Sequence, residues 1–94
     1  MDTTGLTQHA RVRMQQRGIG PEVIEDLLDY GRVVHDHRGA EIVFFDHAAR
    51  RRLAREQGED AIRRLGKCLA TYAVLGANGQ VYTAGHRTRR LYGR

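Results

Sequence analysis

Cysteine, lysine and long apolar runs are scarce in this 94-residue sequence. The single cysteine, Cys68, excludes an internal disulfide, so nothing in the sequence indicates an oxidising compartment. No stretch is long and apolar enough to cross a bilayer, and residues 1–5 lack the composition of a secretory signal peptide. We therefore expect a cytoplasmic protein with no membrane association.

Arginine far outnumbers lysine, since Lys67 is the only lysine among sixteen basic residues. The formal net charge is +5. Arginine binds phosphate with paired hydrogen bonds and stacks on bases, which favours a nucleic-acid partner. A GC-rich genome would give the same composition. Residues 20–30 hold only acidic charges and residues 86–94 only basic ones, which predicts a polarised surface.

The length and the 40% hydrophobic content suit one domain with one core. We expect a single domain over residues 1–94, with residues 1–6 and 89–94 loosely held.

Capping residues predict two consecutive helices that form a hairpin. Thr7 is a suitable N-cap for a helix over residues 8–17, which Gly18 ends. Pro21 suits the first position of a second helix over residues 21–30, and Gly31 is expected to close it as a left-handed cap.

The remaining sequence predicts two β-hairpins separated by a further helix. The first hairpin combines strands 32–38 and 41–46 around Gly39, and its second strand is apolar on both faces, which predicts cover on both sides. Asp46 can cap an arginine-rich helix over residues 47–57, which residues 59–65 extend. Strands 67–75 and 81–87 form the second hairpin around residues 76–79, with Cys68 as a small core residue on the first of them. The fold class is therefore α+β: two N-terminal helices packed on a curved antiparallel sheet of about four strands, with an additional helix between the hairpins.

One stripe of the first helix carries His9, Arg13 and Arg17, because residues four apart stack on one face. Strict alternation in the last strand puts Val81, Thr83, Gly85 and Arg87 on one face, and Tyr82, Ala84 and His86 on the other. If the helix packs on this strand, imidazole and guanidinium groups from both ends of the chain converge. Such a set suits metal-independent cleavage of RNA, in which an imidazole deprotonates the ribose 2′-OH and guanidiniums stabilise the charged phosphate.

The alternative is structural. Arg13 and Arg17 could lie over the core and pair with acids of the second helix, namely Glu22, Asp26 or Asp29, while His9 satisfies a backbone carbonyl.

The sequence contains two further clusters of candidate residues. His35 and His37 point the same way on a strand and could bind zinc with His47 or Asp46, but no cysteine pair supports this, so we expect no metal and no cofactor. The arginine-rich third helix and the tail 87–94 together suit an electrostatic footprint for a nucleic-acid backbone. In the tail, Tyr82 and Tyr92 are near enough to Arg87, Arg89 and Arg90 to stack bases. The alternative for this segment is a frayed terminus, and for Arg50–Arg52 a solvated helix face.

The opening motif His9-Ala-x-x-Arg-Met-x-x-Arg-Gly-Ile19 and the closing Thr83-x-x-His-Arg87 resemble a small bacterial family of domains of unknown function. That family is grouped with the barnase–EndoU–colicin–RelE superfamily of metal-independent ribonucleases and toxins. The resemblance covers roughly residues 6–88, and the additional helix departs from the shorter members.

The resemblance implies a RelE-like domain acting on RNA or the ribosome, with an antitoxin protein as a further partner. Our first hypothesis is a ribonuclease with a catalytic set of His9, His86, Arg13 and Thr83, and with Arg17, Arg87, Arg89 and Arg90 binding nucleic acid. The second is a non-catalytic RNA- or ribosome-binding module on the same fold. The third is a protein-interaction domain, including a homodimer in which the acidic second helix meets the basic tail.

Overall fold

The computed structural model describes residues 6–36 and 39–87 and confirms the α+β class. The helices are α1 (Gln8–Arg17), α2 (Pro21–Tyr30), α3 (His47–Gln57) and α4 (Glu59–Leu65), and a 3-10 turn spans Gly66–Ala70. The strands are β1 (Arg32–His35), β2 (Glu41–Phe44), β3 (Thr71–Leu75) and β4 (Val81–His86). Leu6 pairs with Val81 in an isolated parallel bridge. The other residues expected to be loose, 1–5 and 89–94, and the expected end of the first strand at residues 37–38, lie outside the described residues.

Side-chain caps start the two helices for which the sequence predicts them. The Thr7 hydroxyl accepts a hydrogen bond from the Ala10 N–H at 3.1 Å, and the Asp46 carboxylate accepts one from the Ala49 N–H at 2.8 Å. Each cap satisfies an amide that has no partner within its helix. Gly18 ends α1 in the left-handed conformation, with φ of 68°.

Gly31 ends α2 because a side chain would not fit there, and not because the backbone turns left-handed. Its φ of −70° is extended rather than left-handed, so the predicted left-handed cap is wrong. A Cβ atom here would lie 2.5 Å from the Leu27 carbonyl oxygen and 2.8 Å from Val43 Cγ1. The absence of a side chain therefore lets the start of β1 pass close to α2 and β2.

The four strands follow one another in the antiparallel sheet in the order β1-β2-β3-β4. The predicted strand over residues 67–75 is too long, because β3 begins only at Thr71. Gly66, with φ of 51°, leads from α4 into the 3-10 turn that redirects the chain toward the sheet. Cys68 consequently lies half-buried in this turn and not on a strand.

All four helices cover the same face of the sheet. Their buried residues form one cluster with Val43, Ala73 and Ala84, which lie opposite one another on β2, β3 and β4. Alternation turns Ile42, Tyr72 and Thr83 to the second face, where they are only half-buried. In residues 6–36 and 39–87 no helix packs against that face. Phe44 nevertheless lies there with only 3% of its surface exposed, so the predicted cover on both sides of β2 is met at this residue without a second layer of helices. We call this second side the open face.

A β-bulge changes which residues of β4 face the helices. Val74 pairs with Thr83 but Leu75 pairs with Val81, so Tyr82 is the extra residue. Val81 therefore joins Ala84 in the core, and the predicted strict alternation from Val81 to Arg87 is wrong at this point.

No helix in the described ranges is long and apolar enough to span a membrane.

Candidate nucleic-acid interface

The two histidines expected to work together lie at opposite ends of α1. This helix runs along β4: the Thr7 N–H donates to the Val81 carbonyl at 3.1 Å, and the Arg17 guanidinium donates to the Ala84 carbonyl at 2.8 Å. The imidazole of His86 lies against the Arg17 carbonyl. His9 precedes Arg17 by eight residues, which is about 12 Å along a helix axis. The helix packs where the sequence analysis required, but its direction separates the imidazoles.

Both ring nitrogens of His86 are occupied by the protein. Its Nε2 lies 3.1 Å from the Arg17 carbonyl oxygen, and its Nδ1 lies 3.3 Å from the hydroxyl of the fully buried Thr71. A carbonyl oxygen can only accept, so Nε2 carries the proton and Nδ1 accepts from the hydroxyl. In this tautomer neither nitrogen is free to take a proton from a substrate. His86 instead ties the end of α1 to β3 and β4.

Arg13 and Thr83 do not join His86 either. Arg13 is half-buried and donates to Gln16 within its own helix, at 3.5 Å. Thr83 lies on the open face, whereas His86, paired with Thr71, lies on the helix-covered face. The expected catalytic set of His9, His86, Arg13 and Thr83 is therefore not gathered at one point.

Arg17 reaches the open face around the edge of β4. A Cβ atom on Gly85 would lie 2.9 Å from Arg17 Nη1 and 3.2 Å from the hydroxyl oxygen of Tyr72. The missing side chain of Gly85 thus leaves room for a guanidinium and a phenol ring at the same place. Neither Arg17 nor Arg13 forms an ion pair with an acid in the described ranges, so the alternative pairing with α2 is not observed there.

The sheet register extends this contact into a row across all four strands. Arg32 pairs with Phe44, Phe44 with Tyr72, and Tyr72 with Gly85. Directly paired residues share a face, so this row lies on the open face and ends at Arg17. We call these residues the sheet-face row: Arg32, Phe44, Tyr72, Gly85 and the guanidinium of Arg17.

Arg87 covers one aromatic member of the row. Its guanidinium carbon lies 5.0 Å from the centre of the Phe44 ring, and its Nη2 donates to the Phe45 carbonyl at 3.3 Å. Its Nε is buried and has no hydrogen-bond partner among the described residues. Burial and the nearby charge of Arg50 lower the pKa of Arg87, and Asp46 opposes them. The group remains a cation at neutral pH but lacks a full set of acceptors.

Negative charge near the row comes from Asp46, which lies 3.5 Å from the Arg32 guanidinium. Of the acids on α2, Asp26 lies 3.8 Å from Arg64 and not near the row. Burial raises the pKa of Asp26, and Arg64 opposes that shift. The acidic helix α2 lies on the helix-covered side of the sheet, away from the row, but the arginine-bearing helices α3 and α4 lie on that side as well. Most of the basic segment 86–94 lies outside the described residues, so the polarised surface stays a prediction.

The other clusters considered from the sequence are only partly described. His35 pairs with Glu41 across β1 and β2 at 3.0 Å, and His37 lies outside the described residues. No group of three metal-binding side chains occurs among the residues that the structure describes. Arg89, Arg90 and Tyr92 also lie outside them. The Tyr82 ring lies over Gly76, at the bulge.

Sequence reasoning found Arg17 and Arg87 but missed Arg32, Phe44 and Tyr72. Each of these three looks like an ordinary strand residue when its own segment is considered. Only the register between strands brings them together, and no local signal fixes the pairing of β2 with β3 across 26 intervening residues.

Comparison with known families gives one match. A family model for a domain of unknown function, DUF4258, matches residues 6–72. No curated protein and no solved structure matches the chain. The match includes both N-terminal helices and β2 and ends at Tyr72, so the closing motif with His86 lies beyond it, although the resemblance was expected to reach residue 88. Because the match covers more than half of the sequence, the protein belongs to the DUF4258 family of domains of unknown function.

Proposed function

We propose that this domain binds single-stranded RNA on the open face of its sheet. The observation that carries the proposal is the sheet-face row, in which Arg17 and Arg32 lie on either side of the partly buried Tyr72. The choice of RNA rests on the resemblance of the opening motif to a family grouped with RelE-like ribonucleases. Four-stranded sheets that bind RNA stack two or three bases on aromatic side chains of one face.

Tyr72 supplies the stacking surface. It lies between Phe44 and Gly85, and a strand spacing of about 4.8 Å separates it from each. Stacking of a base on an aromatic ring contributes about 1–3 kcal/mol and tolerates any base, since every base has a π-face. We therefore expect binding with little sequence preference.

Arginines on either side of Tyr72 supply the phosphate contacts. Arg17 uses Nη1 for the Ala84 carbonyl, and Arg32 uses Nη1 for Asp46. A guanidinium has five N–H donors, so each of these residues keeps donors for a phosphate.

Binding without cleavage is the function that this geometry supports best. A general base needs a free acceptor within hydrogen-bond reach of the proton that it removes. His86 uses its acceptor nitrogen on Thr71, and His9 is about two helical turns distant from the Arg17 carbonyl. We therefore expect the wild-type protein and His86→Ala to leave RNA equally intact on a denaturing gel without added metal. Cleavage by the wild type that His86→Ala abolishes would favour the ribonuclease hypothesis instead.

Calorimetric titration with an unlabelled hexauridine tests the proposal. Tyr72→Ala should weaken binding by about tenfold or more, corresponding to the loss of one stacked base. Tyr82→Ala is the matched control, since this tyrosine is 45% exposed on the neighbouring strand but lies at the bulge over Gly76. Thermal unfolding of both variants verifies that they are folded. Equal loss in both variants, or no binding by the wild type, would contradict the proposal.

A further inference from the structure

Three arginines lie near the Asp46 carboxylate where α3 begins, and one of them contacts it. Arg32 opens β1, Arg50 lies in the first turn of α3, and Arg87 follows β4. Arg32 lies 3.5 Å from Asp46, and Asp46 and Arg50 are both close enough to shift the pKa of Arg87. We call Arg32, Arg50 and Arg87 the arginine triad.

The carboxylate of Asp46 is already committed to other groups. Its Oδ1 accepts from the Ala49 N–H, which caps α3, and its Oδ2 faces Arg32. The end of the helix is therefore occupied, and attraction for a further anion comes from the arginines. Three positive charges against one negative charge leave an excess of two.

Arg87 has no carboxylate in direct contact among the described residues. Its Nε is buried without a partner in the described ranges, and its Nη2 reaches a backbone carbonyl and not a carboxylate. Burial and the charge of Arg50 both disfavour its cationic form. An anion bound between Arg87 and Arg50 would relieve this repulsion.

We infer that the arginine triad binds the terminal phosphomonoester of an RNA strand whose adjoining bases lie on the sheet-face row. A phosphomonoester carries about −1.5 to −2 charges at neutral pH and three acceptor oxygens, whereas an internal phosphodiester carries a single charge. The dianion matches the excess of two. Arg87 lies over Phe44, which pairs with Arg32 on one side and with Tyr72 on the other. The triad therefore shares Arg32 with the row and lies at the end of the row away from Arg17. This inference rests on the proposed function and identifies the end of the strand as the feature recognised.

Titration with unlabelled hexauridines that differ only at their ends tests the inference. One oligonucleotide carries a 5′-phosphate, one a 3′-phosphate and one hydroxyls at both ends. We expect one of the two phosphorylated forms to bind about tenfold more tightly than the hydroxyl form, and the comparison identifies which end is recognised. Equal affinities for all three would overturn the inference while leaving RNA binding in place.

Two substitutions assign this preference to the triad. Arg50→Gln and Arg32→Gln should each remove most of the tenfold preference for the phosphorylated end. Arg51→Gln is the matched control, because Arg51 is exposed and points about 100° away from Arg50 around α3. It should retain the preference. If Arg50→Gln and Arg32→Gln retain it as well, the inference is wrong.

A separate measurement distinguishes failure of the inference from failure of the proposed function. If no oligonucleotide binds, the proposed function is wrong, and inorganic phosphate is titrated while NMR signals of the arginine Nε–H groups are followed. A saturable shift of the Arg87 signal that Arg50→Gln removes would still support an anion site at the triad. No shift would overturn it.

Discussion

At the scale of single residues, burial of one carboxylate makes stability depend on pH. The Asp26 side chain is 16% exposed, and its pKa is raised above 3.8 by burial, with Arg64 as the opposing charge. The folded protein therefore disfavours ionised Asp26 more than the unfolded chain does. Stability from this group is fully present below its unfolded pKa and is lost as pH rises through the folded pKa.

Asp26→Asn should accordingly be more stable than the wild type at pH 7, and the difference should shrink as the pH is lowered toward 4. Urea unfolding at several pH values measures it. Glu25→Gln removes the same charge from an exposed position of α2 and serves as the control. A wild type that is more stable than Asp26→Asn at pH 7 would show that the ion pair with Arg64 outweighs burial.

A substitution at Gly85 tests whether Arg17 and Tyr72 act together on the open face. A Cβ atom here would crowd Arg17 Nη1 and the Tyr72 ring, at 2.9 and 3.2 Å. Gly85→Ala should displace the flexible guanidinium and reduce affinity for hexauridine by about tenfold, as for loss of one charged hydrogen bond.

Gly20→Ala is the control for Gly85→Ala. The new Cβ at position 20 would also meet a flexible side chain, that of Glu22, but it lies in the loop between α1 and α2, away from the open face. This control should bind RNA like the wild type. Wild-type binding by Gly85→Ala would remove Arg17 and Tyr72 from the proposed surface.

At the scale of secondary structure, Gly31 is required for close packing. An alanine would place Cβ 2.5 Å from the Leu27 carbonyl oxygen, so backbone must move, and we expect a loss of about 1–3 kcal/mol in unfolding free energy. Gly31→Asn should be at least as destabilising. A left-handed cap would instead tolerate asparagine better than alanine, and that ranking in denaturant unfolding would contradict the observed packing.

The elements most accurately predicted from the sequence are those with a local chemical signal. Thr7, Pro21 and Asp46 mark the first residues of three helices, and Gly39 and Gly79 have the positive φ that tight turns require. The 3-10 turn before β3 was missed, because its apolar residues also suit a strand. The bulge at Tyr82 was missed as well, since it arises from pairing with β3 and leaves no pattern in β4 alone.

The candidate site was less predictable than the fold, because it depends on direction and register. The sequence placed α1 against β4 but could not show that His9 and His86 lie at opposite ends of that contact. It identified Arg17 and Arg87 by charge. Tyr72 and Phe44 acquire a role only when β2, β3 and β4 align, and this is a property of the tertiary structure.

At the scale of the whole molecule, charge should govern RNA affinity. Each phosphate neutralised on a single strand contributes about −0.7 to the slope of log K against log salt concentration. With Arg17 and Arg32 each contacting a phosphate of hydroxyl-ended hexauridine, we expect a slope of about −1.4, and Arg32→Gln should reduce its magnitude by about 0.7. Titrations between 50 and 300 mM salt, as an approximate range, provide the slope. Affinity independent of salt would exclude the phosphate contacts of Arg17 and Arg32.

The proposed function requires above all that RNA lies on the helix-free side of the sheet. Titration of ¹⁵N-labelled protein with hexauridine, followed by amide and arginine side-chain NMR signals, tests it directly. We predict shifts at Arg32, Phe44, Tyr72, Gly85 and Arg87, with little change along α2. Shifts confined to the helices, or no shifts at saturating RNA, would contradict the claim.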